Sequence, residues 1–421
     1  MRVLFQIRPD HGEQAGGDTV HAVRTAEELQ ALGVEADVCG GLAPDLSEYD
    51  LVHLFNTELV EPTFRHTLRA RAAGLPIVLT PIFWRPPLED ESFAAFERRN
   101  LARRDDVMRH VAIGLADALT PPSRIELDRI TAGFPAVPQV REVVPVGVDA
   151  VFGAGDGERF CMRHRVPLRG FVLCVGRLEA RKNQLRLIEA CHRLDAPLVL
   201  IGAEYDDRRE YASACREQAE RLGVDVRFLS FVTQEEVVDA YAAARVHALP
   251  SLWETVGLSS LEAAAGGCNV VSTQNCGVRE YVGARAWYCD PESVDSIRAA
   301  VAAALAAPLG DRLRDEIVSR YPWSIAAEKL GALYESVMSG KREHDGSSDW
   351  RAALTPEQYI AHLESLIQLQ LETIALRDGH YAAVRESAER AIEYAQSLEE
   401  DRARREEYVR SLQAELEKTQ P

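Results

Sequence analysis

The chain has 421 residues, 46% of them hydrophobic, which is enough for two globular domains and a further segment. Its 66 acidic and 48 basic residues give a net charge of -18, which argues against nucleic acid or another polyanion as a partner. Eight scattered cysteines without metal-ligand spacing, no leading signal segment and no apolar run of membrane-spanning length predict a cytoplasmic protein.

The first part of the chain, residues 1–148, alternates strand and helix signals. The predicted strands are residues 2–7, 35–39, 51–55 and 77–80. Such alternation predicts a parallel, doubly wound sheet whose ligands bind at the carboxyl ends of the strands. Gly16, Gly17, Asn56 and Trp84 are therefore expected along one cleft. His53 lies inside a strand, where a histidine satisfied by core hydrogen bonds is the more common outcome.

A local cluster of charge lies at residues 97–106, which include the arginines 98, 99, 103 and 104 and three acidic residues. The cluster could rest on anionic lipid headgroups at the inner face of a membrane. The interleaved acids dilute its charge, so a solvated helix face is the favoured interpretation.

The second part of the chain begins after a glycine-rich linker at residues 153–157 and repeats the strand and helix alternation from Phe171 to about Arg320. Residues 321–323 then introduce a helix that is predicted to end near Met338. The polar, glycine-containing residues that follow have the composition of a linker.

Residues 245–272 are predicted to form a strand, a loop, a helix from Gly257 to Gly266 and a second strand. Gly257 has no Cβ, so a ligand can approach the backbone there, and the amides of the first helical turn attract an anion. Glu254 and Glu262 bracket this turn, and each could accept hydrogen bonds from hydroxyls beside a bound phosphate. The pattern suits a nucleotide sugar, whereas an isolated pair of glutamates would more often be solvated acids.

Residues 172–182 form a second informative stretch, a predicted strand that ends in a glycine turn before a helix. Arg177 and Lys182 follow the strand, and both side chains are expected to face the cleft.

Together the two stretches resemble the retaining glycosyltransferases of family 4, whose GT-B fold has two Rossmann-like domains facing a cleft. The resemblance covers residues 1–340. It implies that Arg177 and Lys182 neutralise the donor diphosphate, that Glu254 contacts the transferred sugar and that Glu262 holds the ribose. The catalytic residues it implies are Glu254, Arg177 and Lys182. The nucleotide-sugar contacts it implies are Gly17, Arg177, Lys182, Glu254, Thr255, Val256, Gly257, Leu258 and Glu262.

The N-terminal pieces follow the same family in order. Residues 16–18 resemble its glycine loop, residues 117–123 its last N-domain strand and serine turn, and residues 144–152 its crossover. The acceptor side implied by the resemblance comprises Gly16, Gly17, Asp18, Asn56 and Trp84. Many members of the family carry a histidine at the end of the strand written here as residues 77–84, and this chain has none there.

The reaction implied is transfer of a sugar from a UDP-sugar or GDP-sugar to a saccharide or lipid-linked saccharide, in surface polysaccharide or glycolipid assembly. Cations and amide dipoles aimed at the departing diphosphate would lower the barrier, so neither a metal nor another cofactor is expected. Two alternatives stay open on the same fold. One is a sugar-nucleotide epimerase, and the other is a non-catalytic nucleotide-sugar-binding scaffold that assembles partners through its tail.

The tail carries seam positions that alternate in spacing between three and four residues from Ile360 to Leu416. This repeat predicts a coiled coil and a homo-oligomer associated through residues 360–416. Because the seam is rich in alanine and interrupted by cations, a single solvated helix is the alternative.

The sequence therefore predicts α/β architecture followed by a long helical tail. The predicted divisions are an acceptor-side Rossmann-like domain at 1–148, a nucleotide-sugar-binding Rossmann-like domain at 149–320, a helix crossing back to the first domain at 321–340, a linker at 341–358 and a coiled coil at 359–421.

Overall fold

The structure is a computed structural model that describes residues 1–12, 16–41, 45–84, 105–106, 108–134, 136–203, 209–230, 232–274 and 276–343. These residues belong to one compact unit, Met1–Ser348. The predicted coiled coil at 359–421 and the arginines of residues 98–104 lie outside the described residues. Both interpretations stay predictions.

The N-terminal domain is built on a parallel sheet with the strand order β2-β1-β3-β4-β5-β6. Its strands are β1 (Arg2–Gln6), β2 (Glu35–Cys39), β3 (Leu51–Phe55), β4 (Ile77–Thr80), β5 (Ala118–Leu119) and β6 (Val140–Arg141). The labelled helices around it are α1 (Gly17–Ala31), α2 (Val60–Ala72) and α3 (Arg124–Gly133). The edge strand β6 follows the strand that the resemblance presented as the last of this domain, so that detail of the prediction was wrong.

The C-terminal domain repeats the plan with the parallel strand order β12-β11-β10-β7-β8-β9. Its strands are β7 (Val172–Val175), β8 (Leu198–Ile201), β9 (Val226–Leu229), β10 (Val246–Ala248), β11 (Asn269–Thr273) and β12 (Trp287–Cys289). Its helices are α4 (Gly157–His164), α5 (Gln184–Cys191), α6 (Arg209–Leu222), α7 (Gln234–Ala243), α8 (Leu258–Ala265), α9 (Val278–Val282), α10 (Val294–Ala306) and α11 (Asp311–Arg320). The strand order reverses between β7 and β10, where open α/β sheets bind their ligands.

The central strands of both sheets are buried on both faces, as strands of parallel sheets covered by helices must be. In β7, Val172 and Cys174 belong to one buried cluster while Leu173 belongs to the cluster on the opposite face. In β1, Leu4 and Phe5 divide between two clusters in the same way. Successive side chains of a strand point to opposite faces, so continuous apolar runs are required here.

The last helix, α12 (Trp323–Glu343), returns to the N-terminal domain as predicted. Ala327, Leu330 and Tyr334 of this helix are buried in the same cluster as Phe5 of β1. The helix continues to Glu343, past the end expected near Met338, so the first residues of the predicted linker are helical. An α-helix can continue through polar residues when one face is already anchored on a core.

The glycine-rich stretch at residues 153–157 packs against the C-terminal domain and does not act as a free linker. A Cβ on Gly155 would lie 2.4 Å from the carbonyl oxygen of Val238, and one on Gly157 would lie 2.9 Å from that of Ala242. The glycines let the backbone approach α7 closely. Composition alone suggested a linker, whereas the structure packs this stretch against α7.

Candidate active site between the two domains

The loop after β10 and the start of α8 form the centre of the candidate site. Gly257 is the residue before α8, its φ is +76°, and no side chain caps the first turn of the helix. A Cβ on Gly257 would lie 3.2 Å from Cγ of Glu254, so glycine also suits the contact with that side chain. The uncapped amides of α8 are therefore suited to binding an anion, as the sequence predicted.

The start of α1 in the N-terminal domain faces the start of α8. Gly16 precedes α1 and supplies no side-chain cap. A Cβ on Gly17 would lie 3.4 Å from Cδ1 of Leu258. The structure thus brings Gly17 and Leu258, predicted from stretches far apart in sequence, close together where the two domains meet.

The turn after β7 is bound to the loop after β10. Asn183 adopts a left-handed conformation with φ +63°, and its Nδ2 donates to the carbonyl oxygen of Pro250 at 2.9 Å. The amide of Leu252 donates to the carbonyl oxygen of Arg181 at 2.8 Å. These contacts hold the two predicted stretches together at the carboxyl edge of the sheet.

Cations and carboxylates alternate across these two loops. Lys182 Nζ is paired with Glu254, and Arg181 Nη1 lies 3.5 Å from the same carboxylate. Arg181 Nη2 also lies 2.7 Å from Glu179, and Arg177 Nη2 lies 3.7 Å from Glu179. We call this group the cation cluster (Arg177, Glu179, Arg181, Lys182 and Glu254). It has three cations and two carboxylates, so it carries one excess positive charge.

The environment of Glu254 strongly favours its ionised form. Burial would raise the pKa of its carboxyl, but Lys182 and Arg181 together lower that pKa to about 2. The Lys182 side chain is only 12% exposed. The ammonium group of Lys182 is paired with Glu254, and the expectation that Lys182 faces the cleft stays a prediction.

Glu262 of α8 lies one helical turn beyond the anion-binding end of the helix, and its side chain is partly exposed. The hydroxyl of Tyr241 donates to Glu262 Oε2 at 2.9 Å. Burial raises the pKa of the Glu262 carboxyl to about 7, although the Tyr241 hydrogen bond opposes the shift. Glu262 can therefore change its charge near neutral pH.

The other two predicted members of the α8 loop differ in what they can offer a ligand. Val256 is 3% exposed and packs in the core, so its side chain is not available to a nucleotide. The carbonyl oxygen of Thr255 accepts from the amide of Gly277 at 2.8 Å. Thr255 is partly exposed, and its backbone joins the loop to the start of α9.

On the acceptor side, Asp18 joins two other polar side chains. Arg8 Nε and Asn56 Nδ2 each donate to Asp18 Oδ2 at 2.8 Å. Asn56 has a left-handed backbone with φ +76°, and its Oδ1 accepts from the amide of Glu58 at 2.7 Å. The predicted residues Asp18 and Asn56 thus meet, and Arg8, which the sequence analysis did not single out, connects them to β1.

Trp84 lies in the turn after β4, where the structure places it against α3. The guanidinium of Arg129 lies 3.5 Å from the centre of its ring, a cation-π contact. The backbone amide of Trp84 donates to Glu58 Oε1 at 2.6 Å. The indole Nε1 of Trp84 is buried with no hydrogen-bond partner in the part of the chain described. The amide of the neighbouring Phe83 donates to Glu126 Oε1 at 2.8 Å, and neither Glu58 nor Glu126 was singled out from the sequence.

His53 is a core residue, as predicted. It is fully buried, and its Nε2 lies 2.8 Å from Thr80 Oγ1 while its Nδ1 lies 2.5 Å from the hydroxyl of Tyr334. Burial lowers the pKa of the His53 imidazole well below its ordinary value, so the ring is neutral. This histidine links β3 to α12 and does not open to the cleft.

No helix within the described ranges is long and apolar enough to cross a membrane. The expected cytoplasmic location and the contact with a membrane surface stay predictions.

Comparison with known proteins finds similarity over parts of the chain. Residues 167–320 match the model of the family described as "Glycosyl transferases group 1". The chain is 33% identical to O-antigen chain mannosyltransferase B of Escherichia coli over 32% of its length, and 30% identical to D-inositol 3-phosphate glycosyltransferase of Corynebacterium urealyticum over 53%. The aligned stretches span 37% and 57% of those two relatives.

Two solved structures share the arrangement of both domains. Sucrose-phosphate synthase of Thermosynechococcus elongatus aligns with a TM-score of 0.66 at 17% identity, over 81% of this chain and all of its own. Anabaena HepE, solved in complex with UDP and glucose, aligns with a TM-score of 0.63 at 16% identity, over 80% of this chain and all of its own. At these identities the likeness shows the fold, two Rossmann-like domains in the GT-B arrangement.

Proposed function

We propose that this chain, a GT-B protein whose residues 167–320 carry the pattern of group 1 glycosyl transferases, is a retaining glycosyltransferase that uses a nucleoside diphosphate sugar. The observation that carries the proposal is the cation cluster beside the uncapped start of α8. A diphosphate needs both cations and amide donors around its oxygens, and this cleft offers the two together.

In the proposed reaction, the bond between the anomeric carbon of the sugar and the diphosphate oxygen breaks, and its electron pair stays on the diphosphate. Arg177, Lys182 and the amides of α8 stabilise that growing charge. The acceptor hydroxyl forms the new bond on the same face of the sugar, and its proton passes to the departing phosphate oxygen. Glu254 contacts the sugar and Glu262 the ribose.

The substrates are proposed from the resemblance and from the relatives. The donor is a UDP-sugar or a GDP-sugar, since HepE was solved with UDP and a matched relative is a mannosyltransferase. The acceptor is a saccharide or a lipid-linked saccharide. We also propose that no metal ion or other cofactor takes part, because the cation cluster supplies positive charge where a divalent ion would otherwise sit.

A panel of UDP-sugars and GDP-sugars, incubated with and without lipid-linked saccharides, tests the proposal. Acceptor-dependent release of nucleotide with a new glycoside of retained configuration is the expected result. Free nucleotide and an altered sugar without an acceptor would favour an epimerase. Binding of UDP or GDP without turnover of any donor would favour the scaffold alternative.

A further inference from the structure

Helix α9 of the C-terminal domain binds the start of α3 in the N-terminal domain. Glu280 accepts hydrogen bonds from the amides of Arg124 and Ile125, each at 2.7 Å. The hydroxyl of Tyr281 donates to the carbonyl oxygen of Pro122 at 2.7 Å and accepts from the amide of Val146 at 2.9 Å. Two consecutive residues of one domain thus hold the turn that begins a helix of the other.

The segment before Glu280 is also attached to the candidate donor loop. The amide of Gly277 donates to the carbonyl oxygen of Thr255 at 2.8 Å. A Cβ on Gly277 would lie 2.1 Å from that oxygen and 3.0 Å from Ser123 Oγ. Gly277 therefore fills the space between the donor loop and the first residue of the α3 turn, and neither can move far without the other.

On the far side of this contact, the start of α3 holds the turn after β4. Ser123 Oγ caps α3 by accepting from the amide of Glu126 at 3.2 Å. The spacing of Ser123 and Glu126 is that of a capping box, in which the glutamate would return to the serine amide. Instead, Glu126 Oε1 accepts from the amide of Phe83 at 2.8 Å, and its Oε2 is buried without a hydrogen-bond partner among the described residues.

The turn that Glu126 holds has a strained backbone. Ile82 adopts a φ of +45°, in the left-handed region that a β-branched residue rarely enters. The next two amides are fixed by carboxyl groups, that of Phe83 by Glu126 and that of Trp84 by Glu58. A conformation of this kind persists where its surroundings impose it, so the turn depends on the position of α3.

We propose that Glu280 and Tyr281 are positioning residues that couple the donor loop at residues 254–257 to the acceptor-side turn at residues 81–84, through the start of α3. A shift of the donor loop displaces Gly277 and α9, which move Ser123 and Glu126 and thereby the turn that carries Trp84. The inference rests on the proposed function in calling one loop the donor loop and the turn acceptor-side. The contacts themselves do not depend on those names.

Hydrogen-deuterium exchange of the full chain, followed at residues 78–84, tests the coupling without an identified acceptor. Glu280→Gln places an amide group against a backbone donor, and Tyr281→Phe removes the hydroxyl from Pro122 and Val146. Each substitution is expected to accelerate exchange at residues 78–84 roughly fivefold or more. The start of α3 is then held less firmly, and it in turn holds these amides less firmly. Glu292→Gln, on an exposed turn of the same domain, is the matched control and should leave that exchange unchanged.

UDP and GDP are the probes for the second arm. Whichever nucleotide binds the wild-type chain should slow exchange at residues 78–84, and the slowing should disappear in Glu280→Gln and Tyr281→Phe while the nucleotide still binds. If both variants exchange at residues 78–84 like Glu292→Gln, the coupling is overturned. If neither nucleotide binds, the proposed function fails, and the ligand-free comparison still decides the coupling. General acceleration across the chain in Tyr281→Phe, which leaves buried backbone groups without a partner, would leave the decision to the milder Glu280→Gln at an exposed contact.

Discussion

Lys182 and Glu254 form an ion pair between the turn after β7 and the loop after β10, so the cation proposed to bind the donor diphosphate already has a carboxylate partner within the protein. The proposed contact of Lys182 with a donor diphosphate would redistribute charge within the cation cluster. Arg181 lies 3.5 Å from the same carboxylate and can keep Glu254 compensated when a phosphate draws Lys182 away. This relationship leads to the first two predictions.

Replacing Lys182 with alanine should weaken donor use roughly tenfold or more, because a hydrogen bond between charged groups in a partly dry cleft contributes about 1.5–3 kcal/mol. The substitution also leaves the buried Glu254 with Arg181 as its nearest cation, so the melting temperature should fall as well. Initial rates at subsaturating donor and thermal unfolding measure the two effects. Lys329→Ala, which removes an ion pair with Glu142 elsewhere, is the control. Normal turnover at subsaturating donor would contradict the assigned role.

Arg181→Gln should raise the donor KM and move the acid limb of activity to higher pH. Burial favours the protonated form of Glu254, and the two cations hold its pKa at about 2, so losing one of them raises that pKa. Stability from this depressed pKa is present above the ordinary pKa and is lost as pH falls through the folded value. A pH-rate profile measures the shift, and Arg181→Lys should restore part of it. An acid limb identical to that of Arg193→Gln, an exposed control, would rule out the effect.

Nucleotide affinity should rise with pH between about 6 and 8 as Glu262 loses its proton, because the carboxylate accepts ribose hydrogen bonds better than the acid. The pKa of its carboxyl is raised to about 7 from 4.5, chiefly by burial. The folded state therefore binds the proton more tightly than the unfolded state. The contribution of Glu262 to stability falls as pH rises from its ordinary pKa of 4.5 through the folded value of about 7. Calorimetry with UDP or GDP measures the affinity. Glu262→Gln should flatten the profile, and Tyr241→Phe should move it to higher pH.

Turnover should continue in EDTA without added metal, because the cation cluster and the start of α8 place positive charge beside the departing diphosphate. Rates with EDTA, with Mg²⁺ and with Mn²⁺ decide the matter. Activity that EDTA abolishes and either ion restores would show that the cluster is insufficient.

The full chain should be a dimer or trimer, and a chain shortened to end at Glu343 should be a monomer that still binds donor. The seam at residues 360–416 would leave an apolar stripe unpartnered on a single helix. Ending at Glu343 keeps all of α12, which is longer than the sequence indicated. Light scattering of both chains measures the masses. The same number of subunits in each would remove the tail from self-assembly.

The sequence predicted those parts of the site that depend on local patterns. The buried strand before residue 250, the glycine at position 257 and the helix to residue 265 follow from apolar runs and from the backbone freedom of glycine. Two α/β domains follow from the alternation of strands and helices, and helix α12 crosses back as expected. These features need no knowledge of which distant residues meet.

The tertiary structure decided which charged groups meet. Arg181 and Glu179 complete the cation cluster because the turn after β7 lies against the loop after β10, residues far apart in the chain. Glu126 has the spacing of a helix-capping residue, yet its carboxyl group accepts from the amide of Phe83 because α3 packs beside the turn after β4. A local pattern sets what a residue can do within its own element. The partner of a buried charge depends on the spatial arrangement of several elements, so the sequence read locally could not supply it.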